Sequence, residues 1–201
     1  MSTILFAHRG VALKERAVKH IVSAMWTLPE CMPGKKGSGP KDIGHRAGFN
    51  FHSEYRRQYA RGLILEAVDA GLVEAVPIGA VKNFYRLWSS LGSEDEEMSL
   101  EMSLYVPYLD AHYITGLGQE GASIIAEAKD LVIDCMKWVE SNLGQAEHRS
   151  NTIEELTGMC EVKNGKTYRG YWGWLIMEEL IHDGVLVRLP DDGKYRMIKF
   201  S

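Results

Sequence analysis

The feature that most constrains this chain is a degenerate internal repeat. With Gly71 placed on Gly184, an offset of 113, Tyr55-Arg56 falls on Tyr168-Arg169, Tyr59 on Trp172, Leu63 on Ile176, Glu66 on Glu179 and Val68 on Ile181. Past the glycines, Leu72-Val73 falls on Val185-Leu186. A loop shorter by three residues then brings Tyr85-Arg86-Leu87 onto Tyr195-Arg196-Met197. Few of these residues are identical. What recurs is the placing of apolar positions through a helix, a turn and a returning strand. A duplication is the favoured reading, with shared fold constraints as the alternative source of part of the match.

Each copy reads as the same succession of elements. In the first, Leu13 to Trp26 has apolar residues at helical spacing. The run Pro33-Gly34-Lys35-Lys36-Gly37-Ser38-Gly39 breaks it and reads as a flexible loop. Pro40 opens a short helix that runs to Ala47, and Gly48 ends it. Ser53 suits the N-cap of a longer helix reaching Ala70, which Gly71 terminates. Leu72–Val76 and Val81–Leu87 read as strands. In the second copy, residues 122–142 read as the long helix. Thr152 and Glu155 form a capping box for a short one, and 166–183 read as the third helix. Strands at 185–189 and 194–200 flank Asp192-Gly193, a hairpin signal. Residues 98–106 alternate apolar and polar side chains and suit a strand or a short acidic helix.

Helix, short helix, longer helix and β-hairpin is the order of a winged helix-turn-helix domain, and the chain resembles that superfamily twice over. The resemblance rests on "AVDAGLVEAV" and "LIHDGVLVRL" at the ends of the third helices and on the wings "FYRLW" and "KYRMIKF". It implies an α+β fold, mainly helical with small hairpins. It also implies a domain over residues 1–92, an acidic linker over 93–118 and a second domain over 119–201.

Such domains usually set the third helix in the DNA major groove and the wing along the backbone. On the helix 53–70, Tyr59, Leu63, Ala67 and Val68 mark the buried stripe, leaving Arg57, Gln58 and Arg61 on the opposite face. Arg57 and Arg61 are four apart, so their guanidinium groups project side by side. Each suits a phosphate or the O6/N7 edge of guanine, and Gln58 suits adenine. Lys41, His45, Arg46 and His52, from the short helix and the following turn, and Lys35 and Lys36, from the loop, suit phosphate contacts. Arg56, matched by Arg169, is better read as serving the fold. In the second copy Gly170, Tyr171 and Trp174 stand where Arg57, Gln58 and Arg61 stood. That aromatic face suits a protein partner, self-association or unpaired bases.

Charge separates the copies in the same sense. Residues 1–92 carry 13 Lys and Arg against seven Asp and Glu, a net +6, although the whole chain is −4. Residues 93–130 carry one lysine and nine acids, opening on Glu94-Asp95-Glu96-Glu97. An acidic segment of this kind is either a solvated linker or a competitor of DNA for the basic domain.

Catalytic chemistry is not expected. Phe6-Ala7-His8-Arg9-Gly10 resembles the opening of glycerophosphodiesterases, but the downstream acidic metal ligands and βα repeats of that barrel are missing. Gly116-Leu117-Gly118 lacks a P-loop lysine, the seven histidines show no paired metal spacing, and Cys31, Cys135 and Cys160 form no CxxC. No cofactor or metal is expected. No apolar run approaches the roughly 18 residues of a membrane span. With no signal-peptide pattern, a cytoplasmic protein is expected.

Two functions remain. One is a DNA-binding regulator that grips duplex DNA through its N-terminal domain and assembles through its C-terminal one. The other is a protein-interaction module, a subunit or a phage-type inhibitor of a nucleic-acid-handling complex. In size, acidity and duplication the chain looks like the kleisin-binding subunits of bacterial condensins.

Overall fold

Two long helices run through this chain, and glycines inside them decide what they can pack against. The computed structural model describes residues 3–49, 56–79, 82–88, 111–159, 161–163, 166–168, 171–190 and 193–198. The first helix, α1, spans Thr3–Trp26, beginning ten residues before the expected Leu13. Its equivalent, α4, spans Ala111–Leu143, beginning eleven residues before the expected 122. In both cases the expected start lay just after a glycine, Gly10 or Gly121. Both glycines are buried inside the helix. A Cβ on Gly10 would run into the carbonyl oxygen of Thr157, and one on Gly121 into that of Ala47. These helices tolerate a poor helix former because only a bare backbone fits there.

Between the long helices lie a short 3-10 turn (Pro29–Cys31), α2 (Pro40–Arg46), α3 (Arg56–Asp69), β1 (Val73–Ile78) and β2 (Lys82–Leu87). After α4 come β3 (Glu147–His148), α5 (Ser150–Leu156), β4 (Glu161–Lys163), β5 (Lys166–Tyr168), α6 (Tyr171–His182), β6 (Leu186–Arg188) and β7 (Tyr195–Met197). The chain is therefore mainly helical with small antiparallel sheets, an α+β architecture.

The repeat extends further than its sequence signature. Phe6 and Leu117, Leu13 and Ile124, Ala17 and Ala128, Ile21 and Val132, and Met25 and Met136 are pairs 111 apart, and all ten residues are buried. β1 pairs with β2 from Val73↔Leu87 to Ile78↔Lys82. Ser38 adds an isolated bridge to Tyr85 on the other edge of β2. In the second copy β7 lies between β6 and β3, and His148 faces Tyr195 as Ser38 faces Tyr85. The two sites where a short helix meets the next helix are also alike, with the glycine exchanged. Gly44 of α2 makes room for Ala60 of α3, whereas Gly173 of α6 makes room for Glu154 of α5.

The chain divides into two compact units. The first-copy unit comprises Arg16–Asn50 and Arg56–Ser123; the second-copy unit comprises Met1–Glu15, Phe51–Tyr55 and Ile124–Ser201. The opening segment of each long helix, residues 3–15 and 111–123, thus belongs to the unit built mainly from the other copy. Residues 111–118, read from sequence as the end of the linker, open α4; residues 93–110 lie outside the described residues.

Local departures from the sequence reading have physical reasons. Arg149 sits at the N-cap of α5, so Thr152 lies within the helix and the expected capping box does not form. Residues 166–168 are not helical but pair with 161–163 as a hairpin. The sequence between the two strands is Asn-Gly, a strong hairpin signal.

Candidate nucleic-acid interface

The loop that carries Lys35 and Lys36 is anchored along β2, contrary to the flexibility expected from its glycines. Ser38 and Tyr85 exchange backbone hydrogen bonds, each 3.0 Å, and the Gly37 amide donates to the Glu30 carbonyl at 2.8 Å. Arg86 completes the anchor. Its Nη1 donates to the Lys35 carbonyl at 2.7 Å, while its Nε donates to Glu74 Oε1 across the hairpin at 2.6 Å. Both Lys35 and Lys36 remain exposed. Fixing the backbone lowers the entropy lost when their side chains meet a ligand.

The short helix α2 follows directly. Gly39 occupies its N-cap and Pro40 its first turn, while His45 and Arg46 stand in the last turn, where cations suit the helix dipole. Lys41 and His45 are exposed and Arg46 is half-buried. On α3, Arg61 points to solvent between the buried Ala60 and Gly62–Ile64. The helix also carries Arg57 and Gln58, whose side chains lie outside the described residues, as does His52. Among the described residues, the side chains of Lys35, Lys36, Lys41, Arg46 and Arg61 make no ion pair or hydrogen bond. Arg16 and Arg86 of the same unit, by contrast, pair with Glu120 and Glu74.

Three α2 side chains at positions i, i+3 and i+4, Asp42, His45 and Arg46, line one open cleft. Leu28 and Gly118 complete its wall, and its volume is about 440 Å³. Sequence reasoning singled out His45 and Arg46, as phosphate contacts, and did not consider Asp42, Leu28 or Gly118. The helical spacing of the three α2 residues was legible; the arrival of Gly118 from a distant helix was not.

Beneath this surface, His20 of α1 is buried. Its Nε2 lies 2.8 Å from the carbonyl oxygen of Ala47 and 3.1 Å from that of Leu117, so an Nε2–H tautomer donates to both. The ring also meets Phe49 edge-on. Burial lowers the pKa of this imidazole below its ordinary value, outweighing the carbonyls and the Glu120 carboxylate, which raise it. Arg16, 2.7 Å from Glu120, holds that carboxyl below the usual range.

In the second copy, Trp172 of α6 is buried and Trp174 partly exposed. Tyr171 opens the helix, and its side chain lies outside the described residues. The thiols of Cys31 and Cys135 are buried and pushed up to about 11 by that burial, which suits inert packing; Cys160 lies outside the described residues. Among the described residues no group of three His, Cys, Asp or Glu side chains is placed to hold a metal ion. No helix among them is long and apolar enough to cross a membrane. Compared with protein-family models, curated proteins and solved structures, the chain matches none.

Proposed function

We propose that the protein is a duplex-DNA-binding regulator made of two winged-helix copies, one contacting DNA and the other mediating assembly. The observation that carries this reading is the set of cations Lys35, Lys36, Lys41, Arg46 and Arg61, none paired with a described acid. Unpaired cations on an anchored loop and adjoining helices can neutralise phosphates without first breaking an ion pair. Arg57 and Arg61 are the base-reading candidates of α3, and Lys41, His45 and the anchored lysines are phosphate contacts. The acidic residues 94–97 act as a linker between copies.

The test is fluorescence anisotropy of the full chain with an arbitrary labelled 30-base-pair duplex over a series of salt concentrations. Each lost phosphate contact removes about 0.9 from the slope of log K against log salt. Lys35→Ala/Lys36→Ala is therefore expected to flatten the slope by about 1.8. Arg57→Ala/Arg61→Ala is expected to weaken binding and to flatten it as well. Unchanged affinity and slope in both double variants would remove the assigned face.

Trp174, partly exposed on α6, favours a second reading in which the protein acts only by binding another protein. Absence of duplex binding even at low salt would select it.

A further inference from the structure

We propose that the cleft beside α2 receives a single guanine base. It is lined by one carboxylate, one guanidinium, one imidazole, an apolar side chain and a bare stretch of helix: Asp42, Arg46, His45, Leu28 and Gly118. A site for a bare phosphate would not place a carboxylate beside its arginine. A site for a purely apolar ligand would hold neither. The mixture suits a planar ring with donors and acceptors on adjoining edges.

Guanine has that edge pattern. N1–H and N2–H are neighbouring donors that match the two acceptor oxygens of a carboxylate. O6 and N7 are neighbouring acceptors that match the two parallel donors of a guanidinium. Asp42 and Arg46 are four residues apart on one helix, so their side chains rise about 5–6 Å apart at Cβ. That separation sets the two functional groups against adjoining edges of one purine. Adenine would turn an acceptor, N1, toward the carboxylate. Arg46 makes no ion pair among the described residues and so keeps its donors for a ligand.

The remaining walls suit the ring itself. Leu28 offers an apolar surface. A Cβ built on Gly118 meets nothing within 4 Å, so packing does not require glycine there. Glycine inside a helix costs about 1 kcal/mol relative to alanine. Its gain here is an unobstructed cleft. The volume of about 440 Å³ falls in the usual range of small-ligand sites.

That the natural occupant is a base unstacked from a nucleic acid rests on the nucleic-acid reading; the binding chemistry does not. The test is calorimetric titration of the full chain with GMP, AMP and inorganic phosphate. GMP is expected to bind at least tenfold more tightly than AMP, and phosphate more weakly than either. Asp42→Asn is expected to erase the preference for GMP and leave AMP unchanged. Gly118→Leu is expected to abolish binding of both nucleotides, with circular dichroism and thermal midpoint reporting its fold. If Gly118→Leu fails to fold, Asp42→Asn, a change at an exposed position, decides alone. Equal affinity for GMP and AMP, phosphate binding as tightly as GMP, or an unchanged preference in Asp42→Asn would each overturn the proposal. Selectivity for GMP in a chain that does not bind the duplex would overturn the duplex reading and leave the cleft standing. Duplex binding without that selectivity would do the reverse.

Discussion

One imidazole ties together three segments of the first-copy unit. His20 of α1 donates to a carbonyl just past α2 and to another in the first half of α4. Nothing in the run Val18-Lys19-His20-Ile21-Val22 marks it from sequence, because a histidine on an apolar stripe is equally consistent with exposure and with burial. Its partners are 27 and 97 residues away. The consequence is a pH dependence of definite sign. The unfolded chain takes up a proton near pH 6.5, whereas the buried imidazole takes one only at lower pH. Below about 6.5 the unfolded state therefore binds more protons, and stability falls with pH until the lowered folded value is passed. The Glu120 carboxyl, held low by Arg16, titrates further down. Urea midpoints are expected to fall between pH 7 and pH 5. His20→Leu is expected to cost about 1–3 kcal/mol at pH 7, since two buried carbonyls lose their donor, and to level much of that pH dependence. A variant whose midpoint keeps the full wild-type slope would locate the titration elsewhere.

At the scale of the element, the long helices carry glycines of two opposite kinds. Gly10 and Gly121 lie against backbone carbonyls, while Gly116 and Gly118 face open space. Alanine at either of the first pair is expected to lower stability by about 1–3 kcal/mol, because a carbonyl oxygen cannot move aside as a flexible side chain can. Alanine at Gly116 or Gly118 is expected to raise it by up to about 1 kcal/mol through helix propensity. Four thermal melts check the contrast, and one sign for all four variants would remove the packing explanation. The same glycines explain where the sequence was and was not legible. The short helix at 40–46 and the hairpins closing each copy followed from Pro40, Gly48, Gly71 and Asp192-Gly193, whose conformational preferences are local. The starts of α1 and α4 did not, since a glycine that ends a helix and one that admits a neighbouring backbone look alike in sequence. The β4–β5 hairpin was legible in Asn164-Gly165, but the match of Tyr55-Arg56 to Tyr168-Arg169 favoured a helix there. Among the candidate contacts, the basic residues of α2 and α3 were legible from charge and spacing. The anchoring of Lys35 by Arg86 was not, because it joins residues 51 apart.

For the whole molecule, the governing fact is that the opening segment of each long helix belongs to the unit built mainly from the other copy. A repeat offset cannot reveal this, because the spacing is the same whether a helix packs with its own copy or with its counterpart. The exchange of helix segments pairs the contacts: Gly10 meets Thr157 and Gly121 meets Ala47, in positions that correspond. The exchange has a price in independence. A fragment ending at residue 92 keeps the cations but loses Leu117, Glu120 and Gly121, which accept from His20, pair with Arg16 and close against Ala47. Removing a buried leucine side chain alone is worth about 2–5 kcal/mol, a large part of the about 5–15 kcal/mol that holds a domain folded. Residues 1–92 are therefore expected to melt well below the full chain or to show no cooperative transition by circular dichroism. Leu117→Ala in the full chain is expected to lose about 2–5 kcal/mol in urea. A fragment as stable as the intact protein would mean that the first half of α4 contributes little to the first-copy unit. Duplex binding by such a fragment would then report on a self-sufficient domain. A fragment that does not fold would make duplex binding, if the full chain shows it, a property of the two copies together.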